Sequence, residues 1–271
     1  MSGENALACY LYCLVPSGPT IELAQAGLDA RFPVCMEECG RVRAVVSEVE
    51  LAEFCGDSGE RNLQDIGWVG PQVLNHEAVV EDVMRQAPVF PVRFGTLFSS
   101  REVLRRSVLE CDAEVERFLL QVGNQQEWAV KGQLNRAAAL KALSASARSR
   151  AAQSVPESPG RRYFEEKRIL AQADRDLAAQ VKEFSRRAAR ELGALPDSFR
   201  QRKVAPPATA EAEEEMVLNW AFLLPPEELE GFRSTVVALN LKGARVAIRL
   251  QLTGPFPPYS FAPPLSPSPA Q

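Results

Sequence analysis

The stretch MVLNWAFLLPPEELEGFRSTVVALN at residues 216–240, followed by RVAIRLQLTGPFPPYSFAPP at 245–264, is the clearest guide to the architecture. Met216, Leu218, Trp220, Phe222 and Leu224 share one face of an extended strand. Val217, Ala221 and Leu223 leave the other face largely apolar, the pattern of a central strand. Pro225 and Pro226 then open a helix whose first turn carries Glu227 and Glu228, where acidic groups meet the positive end of the helix dipole. Leu229, Phe232, Val236 and Leu239 form its inward stripe. A strand over 245–253 alternates, with Val246, Ile248, Leu250 and Leu252 inward and Arg245, Ala247, Arg249 and Gln251 outward. With a short strand at Glu127–Lys131, this β-α-β ending predicts a ferredoxin-like unit.

Between those strands the pattern is helical. Gln133–Gln153 is Ala-rich, SVPESPG at 154–160 breaks it, and a second helix runs from Arg161 to Leu192. Tyr163, Leu170, Leu177 and Phe184 recur every seven residues, with Ala173, Val181 and Ala188 beside them. That spacing predicts a narrow seam and an antiparallel hairpin over about 133–193. Two helices lying flat on a sheet fit the same pattern equally well. Residues 193–212, rich in Pro, Ala and charge, read as a loop, with Arg200, Arg202 and Lys203 as solvated linker.

The N-terminal half begins with an apolar strand over 6–15, ended by Pro16, Gly18 and Pro19. A hairpin follows, Phe32–Met36 against Val42–Val46. Asn75 reads as an N-cap, with Glu77 in the first turn and Val79, Val80, Val83 and Met84 buried. Val89–Phe94 is a strand that Pro91 confines to an edge or bulge, and 100–122 is one further helix. The fold class is therefore α+β, with two ferredoxin-like α/β sandwich domains, the second carrying the long α-helical hairpin. The boundaries are 1–124 and 125–264, with a Pro/Ser-rich tail at 265–271.

Composition narrows the function classes. With 31 basic and 35 acidic residues well mixed, the chain lacks the dense basic face that nucleic acid needs. No run approaches the ~20 apolar residues of a membrane helix. The N-terminal apolar run is preceded by Glu4 and by no Lys or Arg, a poor secretory signal, so a cytoplasmic location is expected. The six cysteines then read as reduced thiols packing as small hydrophobes, and Cys9 and Cys13 share strand parity. Their C-x-x-x-C spacing does not match a zinc knuckle.

Chemistry is sparse. His76 is the one histidine, and His76-Glu77 departs from H-E-x-x-H at Val80. No nucleophile elbow, phosphate loop or dinucleotide fingerprint occurs. We therefore expect no catalytic, cofactor-binding or metal-binding residues. The candidates are contact residues. Arg93, flanked by Phe94, is placed either to pair with Glu81 or Asp82 or to anchor an interface. Lys167 lies in the run Phe164-Glu165-Glu166-Lys167-Arg168 of the long helix, which reads as a solvated face or a charged docking surface, and Tyr163 precedes it. Phe256 and Tyr259 lie in a tail whose prolines predict polyproline-like chain, covering either the protein's own seam or a partner.

The blocks YLYCLVP (10–16), AVVSEV (44–49), HEAVVEDVM and PVRFGTLF (76–98), EWAVK (127–131), RYFEEK (162–167), NWAFLL (219–224) and LTGPFPPYSF (252–261) occur in the order and spacing of a known family. The chain resembles the gas vesicle protein F/L family over most of its length. The resemblance implies a two-domain α+β protein, found in the cytoplasm and the gas vesicle. It further implies an accessory or minor structural role without a cofactor, in which the protein binds the small hydrophobic shell protein A and keeps it soluble or assembles it into the wall. Other gas vesicle accessory proteins are possible partners, which leaves a scaffold role open. An enzyme on a ferredoxin-like scaffold, with a pocket at His76 or Arg93, is the other alternative.

Overall fold

The computed structural model of the chain describes residues 6–18, 20–151, 159–204, 206 and 213–265. It divides into two compact units, one formed by Met1–Glu127 with the residues from Pro255 onward, the other by Trp128–Gly254. Residues 255–264, read from sequence as part of the C-terminal domain, thus group with the first unit. Tail residues 266–271 lie outside the described residues.

The first unit is built on β1 (Leu7–Pro16), β2 (Cys35–Cys39), β3 (Val42–Glu50), β4 (Phe90–Pro91) and β5 (Leu97–Phe98). The sheet order is β2-β3-β1-β4, with β5 also on β1 and every pairing antiparallel. Between β3 and β4 run α1 (Leu51–Phe54), α2 (Gly56–Gln64) and α3 (Ile66–Met84). After β5 come α4 (Arg101–Leu109) and α5 (Asp112–Val122), two helices where the pattern suggested one. Residues 17–34 join β1 to β2 with no helix among those described, a departure from the ferredoxin-like layout.

Central position explains the composition of β1, whose residues from Ala8 to Val15 are all buried. A bulge between Leu11 and Cys13 interrupts its alternation. Cys13 therefore joins Tyr10 and Tyr12 in one core cluster, whereas Cys9 lies near Arg101. The shared parity expected of Cys9 and Cys13 is lost to that extra residue. On the side of β1 away from β3, the strand expected over 89–94 is only two paired residues, Phe90 and Pro91.

The second unit contains β6 (Gln126–Leu134), α6 (Arg136–Ala151), α7 (Pro159–Glu191), β7 (Phe199–Gln201), β8 (Glu215–Leu224), α8 (Leu229–Gly243) and β9 (Ile248–Phe256). Its sheet order, β7-β8-β6-β9, repeats that of the first: second, third, first, fourth. The strand β7 lies in a stretch expected to be loop and pairs Phe199 with Phe222. The core joins Trp128, Trp220, Phe222, Phe232 and Leu239 to Leu177, Phe184 and Ala188 of α7.

Helices α6 and α7 form the hairpin, but its seam differs from the seven-residue reading. Leu177 and Phe184 are buried, whereas Tyr163 and Leu170 are 57% and 48% exposed. The buried line instead runs through Ile169, Ala173 and Leu177, in steps of four. Ile169 and Leu170 are adjacent and both apolar, so the pattern fitted either register.

Candidate functional site

The cap of α3 is Asp65, ten residues before the expected Asn75. The Asp65 side chain accepts from the Gly67 amide at 2.9 Å, capping the helix, and the chain continues through Pro71. His76 is therefore a mid-helix residue aimed at the sheet, with no exposed surface.

Its ring is held on both sides. Nε2 lies 3.1 Å from the Val92 carbonyl oxygen, which can only accept, so Nε2 carries the proton. Nδ1 is then a lone pair and accepts from the Tyr10 hydroxyl at 2.9 Å. The Tyr10 oxygen accepts in turn from the Gly95 amide at 3.0 Å. Nε2 is also 3.1 Å from the Tyr259 hydroxyl, which interacts with the Glu77 carboxylate. Tyr12 stacks on the imidazole at 5.6 Å, and Phe94 meets its edge at 6.0 Å.

Electrostatics agree with a neutral ring. Burial pushes the His76 pKa down to about 4, against a smaller upward effect of the Val92 bond. Burial also raises the Glu77 carboxyl, with the Tyr259 bond acting the other way. The Tyr10 and Tyr259 hydroxyls are pushed up chiefly by burial, so both remain donors.

The C-terminal segment is folded onto this network rather than running as polyproline chain. The amides of Phe261 and Ala262 both donate to the Pro258 carbonyl, at 3.1 and 3.0 Å, closing a turn. Ser260 donates its amide and hydroxyl to the buried Glu127 carboxylate at 2.9 and 3.0 Å. Those bonds supply the energy that an extended segment would lack.

Between this turn and the 90–96 segment lies a cleft of about 460 Å³. Phe90, Pro91 and Val92 form one wall, Tyr259 and Pro264 the other, and Arg93 and Thr96 contribute polar groups. Arg93 is exposed and makes no ion pair among the described residues. Asp82, one of its expected partners, binds Arg85 at 2.8 Å.

The sequence candidates thus separate. Arg93 and Tyr259 meet at the cleft. Phe94 packs in the aromatic cluster with Tyr10 and Phe54. Phe256 is 36% exposed at the end of β9. Tyr163 and Lys167 lie on α7, with the Lys167 ammonium 5.0 Å from the Tyr163 ring centroid. Beside them Phe164, the first residue of the charged run, is 72% exposed and meets Tyr163 edge-on at 5.8 Å. Tyr10 gives no local signal of its role, because its partner His76 is 66 residues away, and Glu77 meets Tyr259 only through the fold.

Chemistry of other kinds finds little footing. Among the described residues no group of three or more His, Cys, Asp or Glu side chains could hold a metal ion. The six cysteines are free, and burial pushes the Cys9 thiol up to about 12. No described helix is long and apolar enough to cross a membrane.

The family model described as gas vesicle synthesis protein GvpL/GvpF matches residues 8–263, a span that includes the His76 network, the hairpin and the cleft lining up to Pro263. The chain belongs to the GvpL/GvpF family. Gas vesicle protein L of Streptomyces sp. (strain CB03234) is 25% identical over 224 residues, 82% of this chain and 80% of that protein. The crystal structure of the gas vesicle protein GvpF from Anabaena sp. PCC7120 superposes with a TM-score of 0.67 at 21% identity, covering 95% of this chain and 96% of that one. GvpF from Microcystis aeruginosa gives 0.65 at 17% identity, covering 94% and 99%. The mixed α/β fold is therefore that of GvpF structures, and membership assigns this GvpL/GvpF chain a role in gas vesicle formation.

Proposed function

We propose that the protein is a non-catalytic assembly factor that binds the small hydrophobic shell protein A and keeps it soluble until it adds to the vesicle wall. The observation that carries this reading is the outer part of α7, where Tyr163, Phe164 and Leu170 are all largely exposed. Exposed large apolar side chains gathered on one stretch of helix mark a candidate interaction surface, because leaving them in water forgoes stabilisation that a partner can supply. Burying each such side chain is worth about 2 kcal/mol, at ~25 cal/mol per Å². Lys167, Arg168, Glu165 and Glu166 surround the apolar residues with both signs of charge, a rim that sets orientation more than affinity.

The His76 network favours this reading over an enzyme. Both ring nitrogens are engaged by the fold's own groups, so His76 is not poised as a general base toward a substrate. The test is co-expression with the shell protein, followed by pull-down and measurement of its soluble fraction. Binding that survives Phe164→Glu with Leu170→Glu would refute the α7 surface.

A further inference from the structure

We propose that the cleft beside Arg93 binds an extended acidic-apolar peptide segment, with a side-chain carboxylate flanked by hydrophobic residues, supplied by a partner protein. The site lies in the first unit and does not depend on the α7 patch. Charge complementarity selects the ligand: Arg93 is the one ionisable cation among the lining residues, and it is exposed without an ion pair among the described residues. A guanidinium so placed offers a planar fork that matches a carboxylate. The remaining wall is apolar, from Phe90, Pro91 and Pro264, and suits aliphatic side chains on either side of the acid. A volume of about 460 Å³ admits a few side chains of an extended segment.

The cleft is formed before any ligand arrives. Tyr259 supplies one wall, and its hydroxyl is held by His76 at 3.1 Å. The turn that follows is pinned to Glu127 through Ser260. Preorganisation of this kind lowers the ordering cost of binding, and it gives His76 a role as a positioning residue. Pro91 has no amide to donate, so the edge cannot continue a ladder, and recognition falls to side chains instead of strand addition. A single cation is also too sparse for a nucleic-acid backbone.

The experiment is selection of a phage-displayed library of short random peptides on the full chain and, in parallel, on Arg93→Glu. The expected result is enrichment of Asp or Glu flanked by apolar residues on the wild type alone. The selected peptide, synthesised, should bind Arg93→Glu about tenfold more weakly, as loss of a charged hydrogen bond implies. Its Gln or Asn counterpart should lose as much on the wild type. Should Arg93→Glu fail to fold, that acid-amide pair carries the test alone. Tyr259→Phe, which keeps the ring but frees it from His76 and Glu77, should also weaken binding, whereas Phe164→Glu should not. Absence of an acidic motif, or equal binding of acid and amide peptides, overturns the proposal.

Discussion

Titrating His76 interrogates the interior of the first unit directly, because the chain has one histidine and hence one imidazole resonance. Burial pushes its pKa from an ordinary 6.5 down to about 4. Between those values the unfolded chain holds a proton that the folded chain does not, so unfolding takes up protons and stability rises with pH. The contribution is fully present above pH ~6.5 and is lost progressively down to about pH 4, at ~1.4 kcal/mol per pH unit, or about 3 kcal/mol in all. Glu77 opposes it, since a carboxyl raised by burial gains stability as pH falls. Comparison with His76→Gln removes that shared background. The assays are the Cε1 proton shift of His76 against pH, and urea unfolding of both proteins at pH 7 and pH 4.5. The stability gap between wild type and variant should narrow by about 2 kcal/mol between pH 7 and pH 4.5. An imidazole titrating near 6.5 in the folded protein would refute the buried, neutral ring and the proton placement derived from Val92.

Other consequences concern the second unit. The Asn240 side chain bonds both backbone groups of Leu250, accepting from its amide at 2.6 Å and donating to its carbonyl at 2.9 Å. Asn240→Ala should therefore lower stability by about 2 kcal/mol in thermal unfolding, as two part-buried backbone groups lose their partner. A Cβ on Gly243 would sit 2.4 Å from the Ile248 carbonyl oxygen. Gly243→Ala should cost about 2 kcal/mol or more, read as a lower unfolding midpoint, because a backbone atom cannot step aside. Phe164→Glu on the exposed face of α7 should stay within ~0.5 kcal/mol of wild type while weakening shell-protein binding.

What could be read from sequence follows the range of the interactions. Ile248, Leu250 and Phe232 announce strand, strand and helix because their burial repeats within a few residues, and they are buried as expected. The two-helix hairpin was legible for the same reason, its seam was not. Whether Ile169 or Leu170 faces the partner depends on α6, whose small Ala side chains accept either. The bulge at Leu11–Cys13 and the strand Phe199–Gln201 likewise depend on a neighbouring strand. At the site, Arg93 and Tyr259 were visible as an odd cation and an odd aromatic. Their meeting at one cleft was not, because 166 residues separate them, and only the His76 ring and the turn at Pro258 bring Tyr259 there. Asn75 misled because it has the chemistry of a cap, although Asp65 had already started the helix.

The central claim is that this GvpL/GvpF chain holds the shell protein through the outer face of α7. It is tested most directly by co-expressing the shell protein with the wild-type chain and with the Phe164→Glu, Leu170→Glu double variant, and measuring soluble shell protein recovered with each. The account predicts a raised soluble fraction and co-purification with the wild type, and loss of both with an equally well-folded variant. Equal recovery with the two proteins, or none with the wild type, would contradict it.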